Sequence, residues 1–236
     1  MNKLKPWRSI QIVDCGEVLI PIPENFLRIE PHAYLSLGAP YKKNSDPWLL
    51  REGVLQRLLL AQDVLKSNHA GFRLAIFDAW RPISVQKFMF EYSLHQGCIA
   101  SGVDRYEPSH EERFNRVLQE VRQFWAEPST NPDTPPPHST GAAIDLTLSD
   151  LDGNLVNMGS SIDFVGEISH PNYFEHSNDP SSESFLFHQR RQCLSESMLK
   201  AGFVQHPFEW WHFSFGDQLW AWSQQKNNAI YASFQK

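Results

Sequence analysis

Nowhere among the 236 residues is there an apolar run of about eighteen, so no ordinary membrane-spanning helix is expected. The N-terminus carries Lys3, Lys5 and Arg8 with no apolar stretch behind them, and it lacks the core of an export signal. Cysteine is scarce. Cys15, Cys98 and Cys193 are odd in number, far apart and free of any C-x-x-C pairing, which argues against a disulfide framework and against a thiolate metal site. Buried structural thiols are the ordinary reading of such residues, with a catalytic cysteine as the alternative. Basic charge is lacking too: the formal net charge is −6, and no block of like charge marks a tail for nucleic acid or membrane. No internal repeat is visible. These absences point to a cytoplasmic protein acting on a small molecule, with neither nucleic acid nor membrane as partner, and they leave its oligomeric state open.

What is present is enough apolar sequence for a full core, 41% of the chain, in a length that fits one domain over residues 1–236. Up to residue 48, short β-type runs around Ile12 and Leu19 alternate with Pro21, Pro23, Pro31, Pro40 and Pro47, which predicts irregular strands. From Trp48 to about Asn68, Leu50, Val54, Leu58, Ala61 and Leu65 recur at helical spacing, predicting an amphipathic helix. The alternation from Phe72 to Phe77 predicts a strand that delivers Asp78 and Arg81 at its end. Further helices are expected from Ile83 to about Gln96, from a Ser109/Glu112 capping box to about Glu127, and from Ser184 to Ala201 before Gly202. The proline-rich stretch 128–137 has the composition of a linker, but residues on both sides of it belong to one candidate site, so it reads as a functional loop. Ala142 to Leu148 alternates as a strand with one apolar face and Asp145 on the other. Asp152-Gly153 marks a turn, residues up to about 184 look loop-rich, and Phe208 to Phe215 is aromatic and β-prone.

A histidine taken alone is usually a surface or core residue. His138 differs, because in His138-Ser139-Thr140-Gly141-Ala142-Ala143-Ile144-Asp145 a carboxylate follows seven residues later across a glycine. Residues so spaced face opposite sides of an unbroken strand, whereas metal ligands converge to about 2 Å from one ion; a bend at Gly141 resolves the conflict. Glu209-Trp210-Trp211-His212 poses the same problem at a spacing of three, which sets Glu209 outside the ladder. Two histidines and one carboxylate leave a fourth zinc position open for water, and a nearby glutamate can accept its proton. Spacing alone is weak support. H-x6-D and E-x-x-H recur by chance, Trp210 and Trp211 serve equally well as core aromatics, and Asp145 as a buried acid held by hydrogen bonds.

Four segments taken together carry more: Asp78-Ala79-Trp80-Arg81-Pro82; the run from His138 to Leu148; Met158-Gly159-Ser160-Ser161-Ile162-Asp163-Phe164; and Glu209-Trp210-Trp211-His212. In this order they resemble the VanX-type D-alanyl-D-alanine dipeptidases, of the superfamily that includes zinc D-alanyl-D-alanine carboxypeptidases and the Hedgehog signalling domain. The resemblance implies an α+β fold, with a mainly antiparallel sheet bearing the zinc site and helices around it. It implies one Zn2+ per chain on His138, Asp145 and His212, with Glu209 as general base and later acid. The implied reaction is hydrolysis of the free D-alanyl-D-alanine dipeptide, in cell-wall dipeptide turnover or glycopeptide resistance. Arg81 is implied to hold the developing oxyanion, with Asp78 orienting it, and Asp163 to meet the substrate ammonium. Without the resemblance, Asp78 and Arg81 read as a surface ion pair and Asp163 as a turn cap.

One departure bears on specificity. Some members place a serine two residues before the first histidine, in contact with the substrate carboxylate, where this chain has Pro136-Pro137. Proline cannot donate. Ser139, Thr140, Tyr41 or a backbone N–H are the candidates left for that contact. Two rival readings remain: a carboxypeptidase or endopeptidase on peptidoglycan, which needs export and an open groove, and a zinc-stabilised binding module without turnover. The presence of both Glu209 and Arg81 argues against the second.

Overall fold

The computed structural model describes residues 5–42, 46–177 and 179–234; residues 1–4, part of the segment read above for an export signal, lie outside the described residues. In chain order the elements are β1 (Gln11–Ile12), β2 (Leu19–Pro21), β3 (Leu27–Arg28), α1 (Ala33–Ser36), β4 (Leu49–Arg51), α2 (Glu52–Asn68), β5 (Arg73–Asp78), α3 (Ile83–Ala100), α4 (Glu111–Phe124), β6 (Ala143–Ser149), α5 (Glu183–Lys200), β7 (Val204–Gln205), β8 (His212–Ser214), α6 (Gln218–Ser223) and β9 (Asn228–Ala229). Five strands form the main sheet in the order β3-β5-β6-β8-β7, antiparallel except for the β3–β5 pair. The architecture is α+β with a mainly antiparallel sheet, as expected. No helix among the described residues is long and apolar enough to cross a membrane.

The helical spacing read from the sequence puts Val54, Leu58, Ala61 and Leu65 of α2 on one stripe. That stripe packs with Leu194 and Met198 of α5 against Leu74, Ile76, Ile144, Leu146 and Leu148 of the sheet. Each Val, Leu, Ile or Met side chain among them, fully buried, contributes about 1.5–3 kcal/mol. A second cluster joins Val85, Met89, Phe90 and Leu94 of α3 to Val117 and Val121 of α4, with Tyr34 and Trp125 closing it.

Several expectations are corrected locally. The helix expected from Trp48 begins at Glu52, because Leu49–Arg51 pairs with β2 first. Ser109 does not form a capping box: its hydroxyl bonds Glu107, and a 3-10 turn at Pro108–His110 precedes α4. Strand β6 is buried at all seven positions rather than on one face, since the face carrying Asp145 is covered as well. Only His212–Ser214 of the aromatic segment 208–215 joins the ladder.

Candidate metal and catalytic site

Strand register assembles one row of polar side chains. Asp145 on β6 pairs with Asp78 on β5 and with His212 on β8, so three residues far apart in sequence lie abreast. Asp78 reaches this row through an irregularity: Ile76 pairs with Leu146, and the next pair is Asp78 with Asp145, so one extra residue is bulged out of β5. His138 arrives by another route. It sits in the 3-10 turn Pro137–Thr140, which Gly141 ends at φ +73° before β6 begins. A side chain at 141 would overlap Leu19 Cδ2 and crowd the Arg51 backbone nitrogen at 3.3 Å, and the positive φ favours glycine there.

His138, Asp145 and His212 converge as a buried group able to hold a metal ion. His138 Nε2 lies 3.2 Å from His212 Nδ1 and 3.1 Å from Asp145 Oδ2, and His212 Nδ1 lies 3.0 Å from Asp145 Oδ1. Tetrahedral ligands about 2.0–2.1 Å from zinc sit about 3.3–3.4 Å from one another, close to this triangle. The outer ring nitrogens are also engaged: His138 Nδ1 donates to the Ala79 carbonyl at 2.7 Å, and His212 Nε2 meets the Ser214 hydroxyl at 3.2 Å. With those nitrogens as donors, two lone pairs and a carboxylate face one another, which is the electrostatic demand a cation meets. The donor set fits zinc.

Glu209 lies outside the ladder, as its spacing from His212 predicted, with Oε2 3.6 Å from His212 Nδ1. Burial, then the Asp145 charge, push its carboxyl well above the usual carboxylate range. A poised carboxyl beside a metal set is what a general base needs. Two neighbours escaped the sequence reading. His206 Nδ1 stands 3.4 Å from Glu209 Oε1 and its ring 5.4 Å from that of His212; burial, then the His212 charge, hold it well below the usual histidine range. Its signal was the repeated spacing of three through His206, Glu209 and His212. Lys5 lines the same cavity from the N-terminal segment, where nothing in the sequence marked it.

Arg81 is buried and heavily engaged. It donates to Asp78 Oδ2 through Nε at 3.0 Å and Nη2 at 2.7 Å, to Gln86 through Nη1 at 2.9 Å, to the Tyr34 hydroxyl at 3.1 Å and to Asp145 Oδ2 at 3.2 Å. Its guanidinium stacks over Tyr34 and Trp125. Of its five N–H groups, one on Nη1 has no protein acceptor among the described residues, and Arg81 lines the cavity. Tyr34 in turn donates to Asp163 Oδ2 at 2.8 Å. Asp163 also lines the cavity, holds φ at +63°, and is pushed by burial, then by Asp145, up to about 7.

Asp78 and Ser139 do not line the cavity. Asp78 is fully buried behind it, held by Arg81 and by His32 at 3.0 Å; although burial opposes it, Arg81 first keeps this carboxyl below the usual range. Ser139 and Thr140 both spend their hydroxyls on the carbonyls of Pro136 and Pro137, and Tyr41 points to Asp78 at 3.5 Å. The cavity has a volume of about 60 Å³, room for a handful of water molecules at the ~10–15 Å³ each requires.

A family model described as D-ala-D-ala dipeptidase matches residues 27–235. A D-alanyl-D-alanine dipeptidase of Synechocystis is 43% identical over 230 residues, covering 95% of this chain and 92% of its own. A D-alanyl-D-alanine dipeptidase of Enterococcus faecalis is 43% identical over 162 residues, 68% of this chain and 71% of its own. Among solved structures, an LD-carboxypeptidase aligns over 91% of this chain and 76% of its own with a TM-score of 0.45 and 13% identity. The sequence matches alone carry the family assignment.

Proposed function

The chain belongs to the D-ala-D-ala dipeptidase family and is a peptidase of that family, and we propose that it hydrolyses free D-alanyl-D-alanine with one zinc ion held by His138, Asp145 and His212. The observation that carries this reading is the ligand triangle of 3.0–3.2 Å beside the buried Glu209. Zinc at that position supplies a Lewis acid that polarises the scissile carbonyl and acidifies a water. Glu209 takes the water's proton and returns it to the departing amine; burial, then the Asp145 charge, favour its protonated form more than in a free carboxyl, which suits the return step. Arg81 offers its remaining N–H to the oxygen on which charge develops. Asp163, oriented by Tyr34, meets the substrate ammonium. Asp78 acts behind the cavity by fixing Arg81.

A small cavity favours a dipeptide over a peptidoglycan strand, since a site that pairs both chain ends leaves buried charges unpaired with anything longer. Cell-wall dipeptide turnover in the cytoplasm is the setting that suits such a substrate. The test is a zinc-reconstituted assay of D-alanyl-D-alanine beside its L,L isomer and N-acetyl-D-alanyl-D-alanine. The D,D dipeptide should be hydrolysed at least ~10²-fold better than the acetylated compound, the scale expected for an unpaired buried charge. Comparable rates on both would replace the dipeptidase reading with a carboxypeptidase.

A further inference from the structure

A free dipeptide ends in a carboxylate, and burying that charge without a cation or several donors is strongly penalised. The usual sources of such donors near His138 are closed: Pro135, Pro136 and Pro137 have no N–H, and the Ser139 and Thr140 hydroxyls serve backbone carbonyls. The cations lining the cavity are Lys5, Arg8 and Arg81. Arg81 is held by Asp78, Asp145, Gln86 and Tyr34, and its one remaining N–H is the donor assigned above to the oxyanion. Arg8 lies 3.7 Å from Glu127 with its side chain 28% exposed. Lys5 is different. It is 7% exposed, and its ammonium forms no ion pair with any carboxylate among the described residues.

The segment that carries Lys5 is firmly seated. Trp7 is buried with Val204 and Leu219, and its ring lies 5.8 Å from His206. The Gln218 amide donates to the carbonyls of Arg8, Ile10 and Asp133, tying the segment to α6 and to the proline-rich loop. Lys5 therefore reaches the cavity on a pinned strap rather than a loose end, and this strap precedes the residues matched by the family model.

We infer that Lys5 is the anchor for the carboxylate of the substrate, a specificity residue that the N-terminal strap brings to the site; the inference rests on the dipeptidase reading. Burial lowers the ammonium to about 8, with Glu209 opposing, so Lys5 remains charged at neutral pH.

The test compares D-alanyl-D-alanine with D-alanyl-D-alaninamide, which keeps the scissile bond and ammonium but lacks the carboxylate. The zinc-loaded full chain, Lys5→Met and Lys5→Arg are measured on both. Wild type should prefer the acid. Lys5→Met should raise KM for the acid by roughly 10- to 10²-fold, the scale of one charge-assisted hydrogen bond, while kinetics on the amide stay within about twofold of wild type. Lys5→Arg should recover part of the preference. Should Met disturb folding, seen as a lowered melting temperature, Lys5→Gln serves as the neutral variant. Equal losses on acid and amide, or a kcat loss with a shifted pH profile, would mean that Lys5 acts through Glu209 and would overturn the inference. An unchanged acid-to-amide ratio in Lys5→Met overturns it also, with the dipeptidase reading intact. Wild type hydrolysing neither compound overturns both.

Discussion

Arg81 Nη2 lies 3.2 Å from Asp145 Oδ2, so the group proposed to hold the oxyanion also grips a proposed metal ligand. The same guanidinium neutralises Asp78, which is fully buried. Arg81 is therefore more than a transition-state donor. Replacing it leaves two buried carboxylates short of a partner and lets Asp145 turn. Arg81→Ala is expected to cost about 3–5 kcal/mol of folding stability and to weaken zinc ~10–100-fold, beyond any loss of turnover. Denaturant melts and metal titration of one preparation check both. A variant with full zinc affinity and wild-type stability would leave Arg81 only the oxyanion role.

His138→Ala and Asp145→Ala each open the ligand triangle and should lose stoichiometric zinc together with activity. In wild type, a chelator should lower the melting temperature, because two facing imidazole lone pairs and a carboxylate then repel one another. Metal analysis and melts with and without chelator decide this. Full zinc in both variants would show that the site lies elsewhere.

Glu209→Gln should retain zinc while turnover falls by ~10²–10⁴, the scale for removing a general acid–base group. The sign of its stability effect follows from the carboxyl being raised by burial. A group held above its unfolded value costs stability as pH rises past that unfolded value, so the neutral amide should make the metal-free protein no less stable at pH 8 than wild type. Near-wild-type turnover would remove Glu209 from the mechanism.

The elements that bury an apolar stripe were legible from periodicity, α2 and β5 above all, because the spacing of Leu58, Ala61 and Leu65 or of Leu74 and Ile76 follows directly from packing, while α5 was legible from its stop at Gly202. The bend at Gly141 and the position of Glu209 beyond the ladder were legible from the geometric conflict their spacings posed. What remained hidden depends on tertiary register. The bulge that sets Asp78 beside Asp145 leaves no mark in the alternation of residues 72–77, and Tyr34, His32 and Lys5 come from segments whose prolines and short runs carry no period. The orienting role that the resemblance implies for Asp78 agrees with its contacts to Arg81, whereas nothing in the sequence shows that the Ser139 hydroxyl is spent on the Pro136 carbonyl.

Gly141 tests the bend. At φ +73°, alanine carries the left-handed penalty of ~1–2 kcal/mol, and its methyl would overlap Leu19 Cδ2 and crowd the Arg51 backbone nitrogen at 3.3 Å. Gly141→Ala should lose about 2–4 kcal/mol in denaturant melts and bind zinc more weakly, since His138 and Asp145 lie on either side of it. Unchanged zinc binding would show that the bend does not position the ligands.

Asp163 links substrate binding to pH. Burial, then Asp145, raise its carboxyl from 3.8 to about 7, so the metal-free native state holds a proton there that the unfolded chain has released above about pH 4. Between about pH 4 and 7 the native form binds more protons, and this residue therefore removes stability as pH rises through that window. Binding runs the other way: only the ionised carboxylate pairs with the substrate ammonium, so kcat/KM for D-alanyl-D-alanine should climb as pH rises toward 7. Asp163→Asn keeps the acceptor for the Tyr34 hydroxyl but removes the charge. It should make the metal-free protein more stable than wild type at pH 8 and little different at pH 4, while raising KM for the dipeptide by ~10- to 10²-fold and narrowing the gap to its N-acetyl derivative. Melts of the metal-free protein across that pH range and kinetics on the two compounds measure the two effects separately. A variant with unchanged KM would show that the ammonium is held elsewhere, even if the stability difference appears.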